Sequence, residues 1–216
     1  MAITLATGTQ VAIASTYGVA VNMTAVTNAA SAVATLASGH GVIVGDFLEV
    51  NSGWDRLNGR IVRASVVTGD NITFEGINST STSRYPTGTG TGTIRRITAW
   101  TTISQITSGL SVSGGDPQFA DITTLTDTVQ KQIPTTRTPV QVTLPVFYDP
   151  ALSWWATVLA ASDAATPVAL RMIFPNNSRL VSNAYWSLRA VPTVEDSTLR
   201  GEISVSFFSD PTVYGT

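Results

Sequence analysis

Catalysis needs nucleophiles, bases or metal ligands within reach of one another, and few residues of this chain qualify. His40 is the sole histidine, and there is no cysteine. Thiolate nucleophiles, disulfides and thiolate metal sites are therefore excluded. His40 stands between Gly39 and Gly41 in a predicted turn. No nucleophile motif accompanies it, so a Ser-His-acid triad has no support. A zinc site needs further ligands, and none stands at ligand spacing. The carboxylates are scattered, with Glu195-Asp196 and the pair Asp46 and Glu49 as the only close groups. A glycosidase pair can be built from positions far apart in a chain, so spacing alone does not bear on it. Glu195-Asp196 falls between two predicted strands, where a solvated turn is the simpler reading. The Thr-Gly run at 87–93 lacks the GxGxxG spacing of a dinucleotide site, and no helical pattern follows. It reads as a flexible hairpin.

Arg56, Arg60, Arg63, Arg95 and Arg96 are basic but lack interleaved aromatics, and acids stand nearby. Specific nucleic-acid readout is not supported. Trp54, Trp100, Trp154, Trp155 and Trp186 are numerous enough for a sugar-binding platform. Trp155 sits on an apolar stripe and Trp186 on an alternating face, which assigns both to a core. Trp54 and Trp154 remain as possible interface aromatics. The expectation is a chain without catalytic, cofactor-binding or metal residues, one that is not an enzyme and takes no cofactor.

The elements that surround these residues are mostly strands. The 216 residues suffice for one large β domain or two small ones, and 43% of them are hydrophobic. Only 12% are charged, about half the usual share of roughly 25%. A free monomer normally needs more charge than this. Much of the surface is therefore expected to be covered by partner subunits, with a Thr/Ser-rich adhesive module as the competing reading. The net charge of −2 gives no general drive towards nucleic acid or anionic membranes. The first residues lack the basic-then-apolar order of a signal peptide. No apolar run approaches the roughly 18 residues that span a bilayer. Synthesis in a cytoplasm without an export address, and no membrane partner, are the expectations.

Strands are expected at 10–14, 23–27, 32–36, 46–50, 60–68, 72–77 and 93–97. A hairpin turn is expected at Gly69-Asp70-Asn71 and a long exposed loop over 78–92. The spacing of those between 22 and 98 fits a small β-barrel. A strand at 100–107 precedes some thirty residues of weak periodicity, 108–138, and loops of that length usually have a task. Gly114-Gly115-Asp116-Pro117 marks a sharp bend, and Leu125 and Val129, four apart, are compatible with a short helical turn. Strands at 140–146, 168–174, 183–191 and 199–208 alternate with period two, as antiparallel sheets with one buried face do. Pro145 has no N–H and belongs at an edge or bulge. One segment breaks the rhythm. Asp149 as N-cap and Pro150 as first helical residue open a helix over 149–164, with Leu152, Trp155, Ala156 and Leu159 as its apolar stripe.

In its order of parts the C-terminal portion resembles the major tail tube proteins of long-tailed, non-contractile bacteriophages. A strand near Ile103-Ser104-Gln105-Ile106 leads to the loop with Gly114-Gly115-Asp116. Ile122-Thr123-Thr124-Leu125-Thr126-Asp127, strands around Val140 to Tyr148, the Asp149-Pro150 helix and three closing strands follow. The resemblance implies a mainly β fold, a β-sandwich or partial barrel flanked by one helix, formed by residues 1–21 and 99–216. Residues 22–98, with His40 to Asp46, Trp54 and Gly59-Arg60, look like a small β-barrel inserted in some phage structural proteins, placed on the outer surface. Family members form hexameric rings that stack into a hollow tube, the conduit for DNA ejection, in the tail of the virion. The implied partners are other copies, the tape measure protein, the tail terminator and the distal tail or baseplate proteins. DNA passes non-specifically. By position, the loop that reaches a neighbouring subunit carries Gly114, Gly115, Asp116, Pro117, Gln118, Phe119, Asp121, Leu125 and Val129. Outside the insertion six basic residues face nine acidic ones, a balance of −3. An acidic lumen of that kind would repel DNA and let it slide. A single-ring terminator or baseplate protein and a carbohydrate-binding module are the rival readings.

Overall fold

The computed structural model describes residues 7–215. The chain forms β1 (Gln10–Tyr17), β2 (Val21–Val26), β3 (Val33–Leu36), β4 (Phe47–Ser52), β5 (Arg60–Thr68), β6 (Asn71–Phe74) and β7 (Gly92–Ile103). Next come β8 (Ser111–Ser113), β9 (Pro117–Asp121), β10 (Gln132–Arg137), β11 (Gln141–Phe147) and α1 (Ser153–Ala164). The chain continues with β12 (Val168–Ile173), β13 (Arg179–Leu188), β14 (Thr193–Glu195), β15 (Thr198–Phe207) and β16 (Thr212–Tyr214). The mainly β reading with one helix holds.

β2, β3, β6, β5, β4 and β7 neighbour one another in that order, and pairing of β2 with β7 closes them into a barrel. β5 matches its expected span residue for residue. The barrel wraps a hydrophobic core that includes Leu48, Trp54, Val62, Ile72 and Phe74. Gly69 takes φ 56 in the two-residue turn between Thr68 and Asn71, a position that favours glycine.

The strand order then continues β7, β1, β12, β13, β15, β11, β8. One face of this sheet packs on α1. Leu144, Val146, Leu170, Met172, Trp186, Ile203 and Val205, all on predicted inward positions, form this core. The opposite face meets the barrel. Ala169 and Val181 of the sheet pack with Phe47, Ile61 and Ile97 of the barrel and with Tyr214 of β16.

Two expected strands, 93–97 and 100–107, are a single one. β7 pairs with β4 and β2 through its first half and with β1 from Ile97 onward. The expected division at residues 98 and 99 therefore falls inside a continuous strand.

The helix also differs from its expectation. Leu152 is the N-cap, with no side-chain cap bond, and Ser153 is the first helical residue. Asp149 instead closes the preceding turn. Its Oδ1 accepts from the Ala151 N–H at 3.1 Å and its carbonyl from the Leu152 N–H at 3.3 Å. The buried stripe is Trp154, Trp155, Val158 and Ala161, rotated from the expected one. Two adjacent tryptophans hold most of the helix's apolar area, so the helix turns both inward and leaves the single methyl of Ala156 outside.

Polar bonds lock barrel to sheet. Glu49 of β4 is buried; its Oε2 accepts from Arg95 Nε at 2.8 Å and its Oε1 from Asn183 Nδ2 of β13 at 3.0 Å. The Tyr214 hydroxyl of β16 accepts from the Arg63 N–H of barrel strand β5 at 2.9 Å, and within the sheet the Tyr17 hydroxyl accepts from the Ala169 N–H at 2.9 Å. Arg95 and Arg63 lie 4.6 and 4.8 Å over the Tyr17 and Tyr214 rings. Burial, above all, pushes both phenols up to about 12. An unfolded phenol ionises near pH 10. The folded state therefore favours the neutral phenols, a stabilisation complete below pH ~10 and lost as pH rises through about 12, worth roughly 2–3 kcal/mol for each. Tyrosinate absorbance followed together with circular dichroism should show these two phenols ionising only as structure is lost. Their ionisation well below the unfolding transition would refute the junction role.

Candidate assembly surface

β8 is the outermost strand of the sheet, since the barrel closes the other end of the strand order. It pairs only with the first three residues of β11, Gln141 to Thr143. Beyond it the 105–107 stretch covers the rest of β11: Thr107 N–H donates to the Pro145 carbonyl at 2.8 Å and Phe147 N–H to the Gln105 carbonyl at 3.1 Å. N and carbonyl of one strand residue point the same way, so the N–H that Pro145 lacks is missing on this outer side, away from β15.

From this edge a two-stranded ribbon leaves the body. Gly114 and Gly115 take φ 80 and 84. The ladder of β8 with β11 resumes past them, where the Thr138 N–H donates to the Asp116 carbonyl at 3.0 Å and the Gly115 N–H to the Thr138 carbonyl at 3.1 Å. A Cβ on Gly114 would stand 2.1 Å from the Pro139 carbonyl oxygen. Gly114→Ala should therefore strain the root by about 1–3 kcal/mol before the clash is counted. Limited proteolysis should then cut the ribbon faster while the global melting transition stays nearly in place. An unchanged cleavage rate would contradict this account of the bend.

β9 and β10 pair from Pro117 opposite Arg137 to Asp121 opposite Gln132. The tip is tied by its own side chains. Asp121 Oδ1 accepts from the Thr123 hydroxyl at 2.6 Å and the Thr123 N–H at 2.8 Å, and Oδ2 accepts from Gln130 at 3.1 Å. Asp127 accepts from Lys131 and, at 2.9 Å, from the Thr124 N–H. The Thr123 hydroxyl first, and then its N–H, hold the Asp121 carboxyl below its ordinary range; Lys131 does the same for Asp127. These local bonds offer the backbone an alternative to helix, and the short helical turn that the spacing of Leu125 and Val129 allowed does not form: a single turn at 124–127 stands there.

The expected loop residues are thus brought together on one element. Gly114, Gly115 and Asp116 form its root, Pro117, Gln118, Phe119 and Asp121 lie on β9, and Leu125 and Val129 lie in the tip. Leu125 is fully exposed, Val129 is 71% exposed and Phe119 56%. Leu110, Val112, Ile122 and Ile133 add to this exposed apolar set. Sequence reasoning missed those four; the one signal was Val112 between two serines, too short for a period.

Trp54 and Trp154 belong elsewhere and are corrected to core residues, each 1% exposed. Trp54 Nε1 donates to the Pro86 carbonyl at 2.7 Å, and Tyr85 and Gly90 pack against its ring. The Thr-Gly run is therefore a packed cover over Trp54 rather than a free hairpin. Trp154 lies against Trp155 and donates to Ser104 Oγ at 3.1 Å. Trp155 and Trp186 are buried as well, and Arg171 lies 4.5 Å over the ring of Trp100. The aromatics do not assemble an exposed sugar platform.

His40 ties a turn. Its Nδ1 accepts from the Val42 N–H at 3.0 Å, and Nε2 lies 3.1 Å from the Gly69 carbonyl. Asp196 and Ser197, with φ 49 and 61, form the turn between β14 and β15. Among the described residues no cluster of three or more His, Cys, Asp or Glu side chains is placed to hold a metal. No helix there is long and apolar enough to cross a membrane.

None of the curated proteins compared with the chain matches it. A protein family described as phage tail tube protein, TTP, matches residues 52–216. The match starts at the end of β4, crosses the barrel and takes in the ribbon, the helix and the closing strands. The chain therefore belongs to the phage tail tube protein family.

Proposed function

We propose that this chain is the subunit of a tail tube that self-associates into stacked, hexameric rings and forms the conduit for DNA during ejection. Membership of the family makes it a structural protein of the virion tail and implies homo-oligomeric stacking. The observation that supports a polymer most is the ribbon. Its apolar side chains lie outside all three hydrophobic cores, and exposed apolar patches of this kind mark sites where another surface docks. A ring closed on itself also removes the free edge at β8. In this reading the role is mechanical rather than catalytic, and residues 22–98 form an outer barrel that leaves the channel open. The tape measure protein fills that channel before ejection, and terminator and distal tail proteins cap its ends. Electron microscopy of the purified protein tests the proposal. Tubes or stacked rings support it, a lone ring points to a terminator-type role, and a stable monomer overturns it.

A further inference from the structure

One cleft in the body matches the ribbon tip in chemistry. It is open, about 880 Å³ in volume, and lies between the start of β1, the 106–110 stretch and the end of β12. Val11, Ile106, Leu110, Met172 and Phe174 supply its apolar wall, and none of the described residues that line it is charged. A surface without charge accepts only a partner that brings no unpaired charge, because a buried unpaired ion is costly. The ribbon tip meets that condition. Beside Leu125 and Val129 the ion pair of Asp127 with Lys131 neutralises both groups, and the one further charge, Asp121 at the end of β9, is set back from them and hydrogen-bonded by Thr123 and Gln130. These bonds also hold the tip in one shape before it docks, which lowers the ordering cost of association. The tip does not fill the cleft of its own chain, since Leu125 is fully exposed. The chain also leads away from the cleft, from Leu110 through β8 and the glycine bend into β9.

We propose that the ribbon tip of one subunit, led by Leu125 and Val129, inserts into the cleft beside Leu110 of a second copy. The inference rests on the self-assembly reading and names the acceptor surface for it. Tip and cleft are different patches of one molecule, so the contact is heterologous and propagates from copy to copy.

The absence of cysteine makes cross-linking a clean test. Leu125→Cys protein mixed with Leu110→Cys protein, assembled and mildly oxidised, should give disulfide-linked dimers. The yield should be at least about tenfold above a pairing of Leu125→Cys with Asp70→Cys on the barrel, because a disulfide needs Cα atoms within about 7 Å. Thr107→Cys serves as a second acceptor position. Tubes that form normally with cross-linking at the control level overturn the cleft but leave self-assembly standing. A disulfide within one chain of the double variant, or one between Leu5→Cys and Leu110→Cys that suppresses the intermolecular product, identifies another occupant and also overturns it. If the unmodified protein forms no rings or tubes, the self-assembly reading falls, and this inference with it. As a second readout, Leu110→Asp should raise the concentration needed for assembly about tenfold or more with unchanged circular dichroism. Assembly at the ordinary concentration would overturn the proposal.

Discussion

Replacing Leu125 and Val129 together by aspartate is expected to abolish assembly of subunits that remain fully folded. Both side chains are exposed in the single subunit and touch none of its cores, so the fold loses nothing with them. In an assembled joint each would bury apolar area worth about 1.5–3 kcal/mol. Losing both removes roughly 3–6 kcal/mol per contact, on the order of a hundredfold to ten-thousandfold in the association constant. Placing two carboxylates in a dry contact weakens it further. Sedimentation velocity should show monomer where the unmodified protein forms rings or tubes, with a melting temperature within about 2 °C of the original. Tubes of ordinary length from the double variant would remove the ribbon from the joint.

The opposite outcome is expected for the two tryptophans that sequence reasoning set at an interface. Trp54→Ala and Trp154→Ala should each cost about 3–5 kcal/mol of stability. Each indole is fully buried and each N–H has a partner, Pro86 for the first and Ser104 for the second. The residues sit in separate cores, one in the barrel and one under α1. Their effects should therefore add within about 0.5 kcal/mol. Urea denaturation of both single variants and the double variant measures this. A stable Trp154→Ala protein with defective assembly would restore the interface reading.

Legibility followed the range of the forces involved. The period-two strands were readable because alternation reports which face is buried, and Val142, Leu144 and Val146 lie inward as their pattern requires. β8, β14 and β16 were not readable, because three residues carry no period. Trp54 misled because its pocket comes from Tyr85, Pro86 and Gly90, more than thirty residues downstream, whose Thr-Gly setting looks like free loop. The helix start misled because Asp149-Pro150 is a good local signal for a helix and equally good for the turn that here precedes it. The loop between β8 and β11 was located by length and its glycine bend, since a stretch with weak periodicity still has to end somewhere. That it is a ribbon with a tied tip depended on Asp121 and Asp127 bonding to threonines, a choice between local bonding patterns that composition leaves open.

The position of β1 has a consequence for timing. It sits inside the sheet between β7 and β12, with Val11 opposite both Ile103 and Met172. It leaves the ribosome early, yet its second neighbour emerges some 160 residues later by register with Met172. Pairings so distant in sequence close slowly. The sheet that carries β8 and the ribbon is thus completed only when synthesis is nearly over. In the self-assembly reading proposed above, the ribbon would then be presented on a completed body only late in synthesis, which would delay association of nascent chains on one polysome.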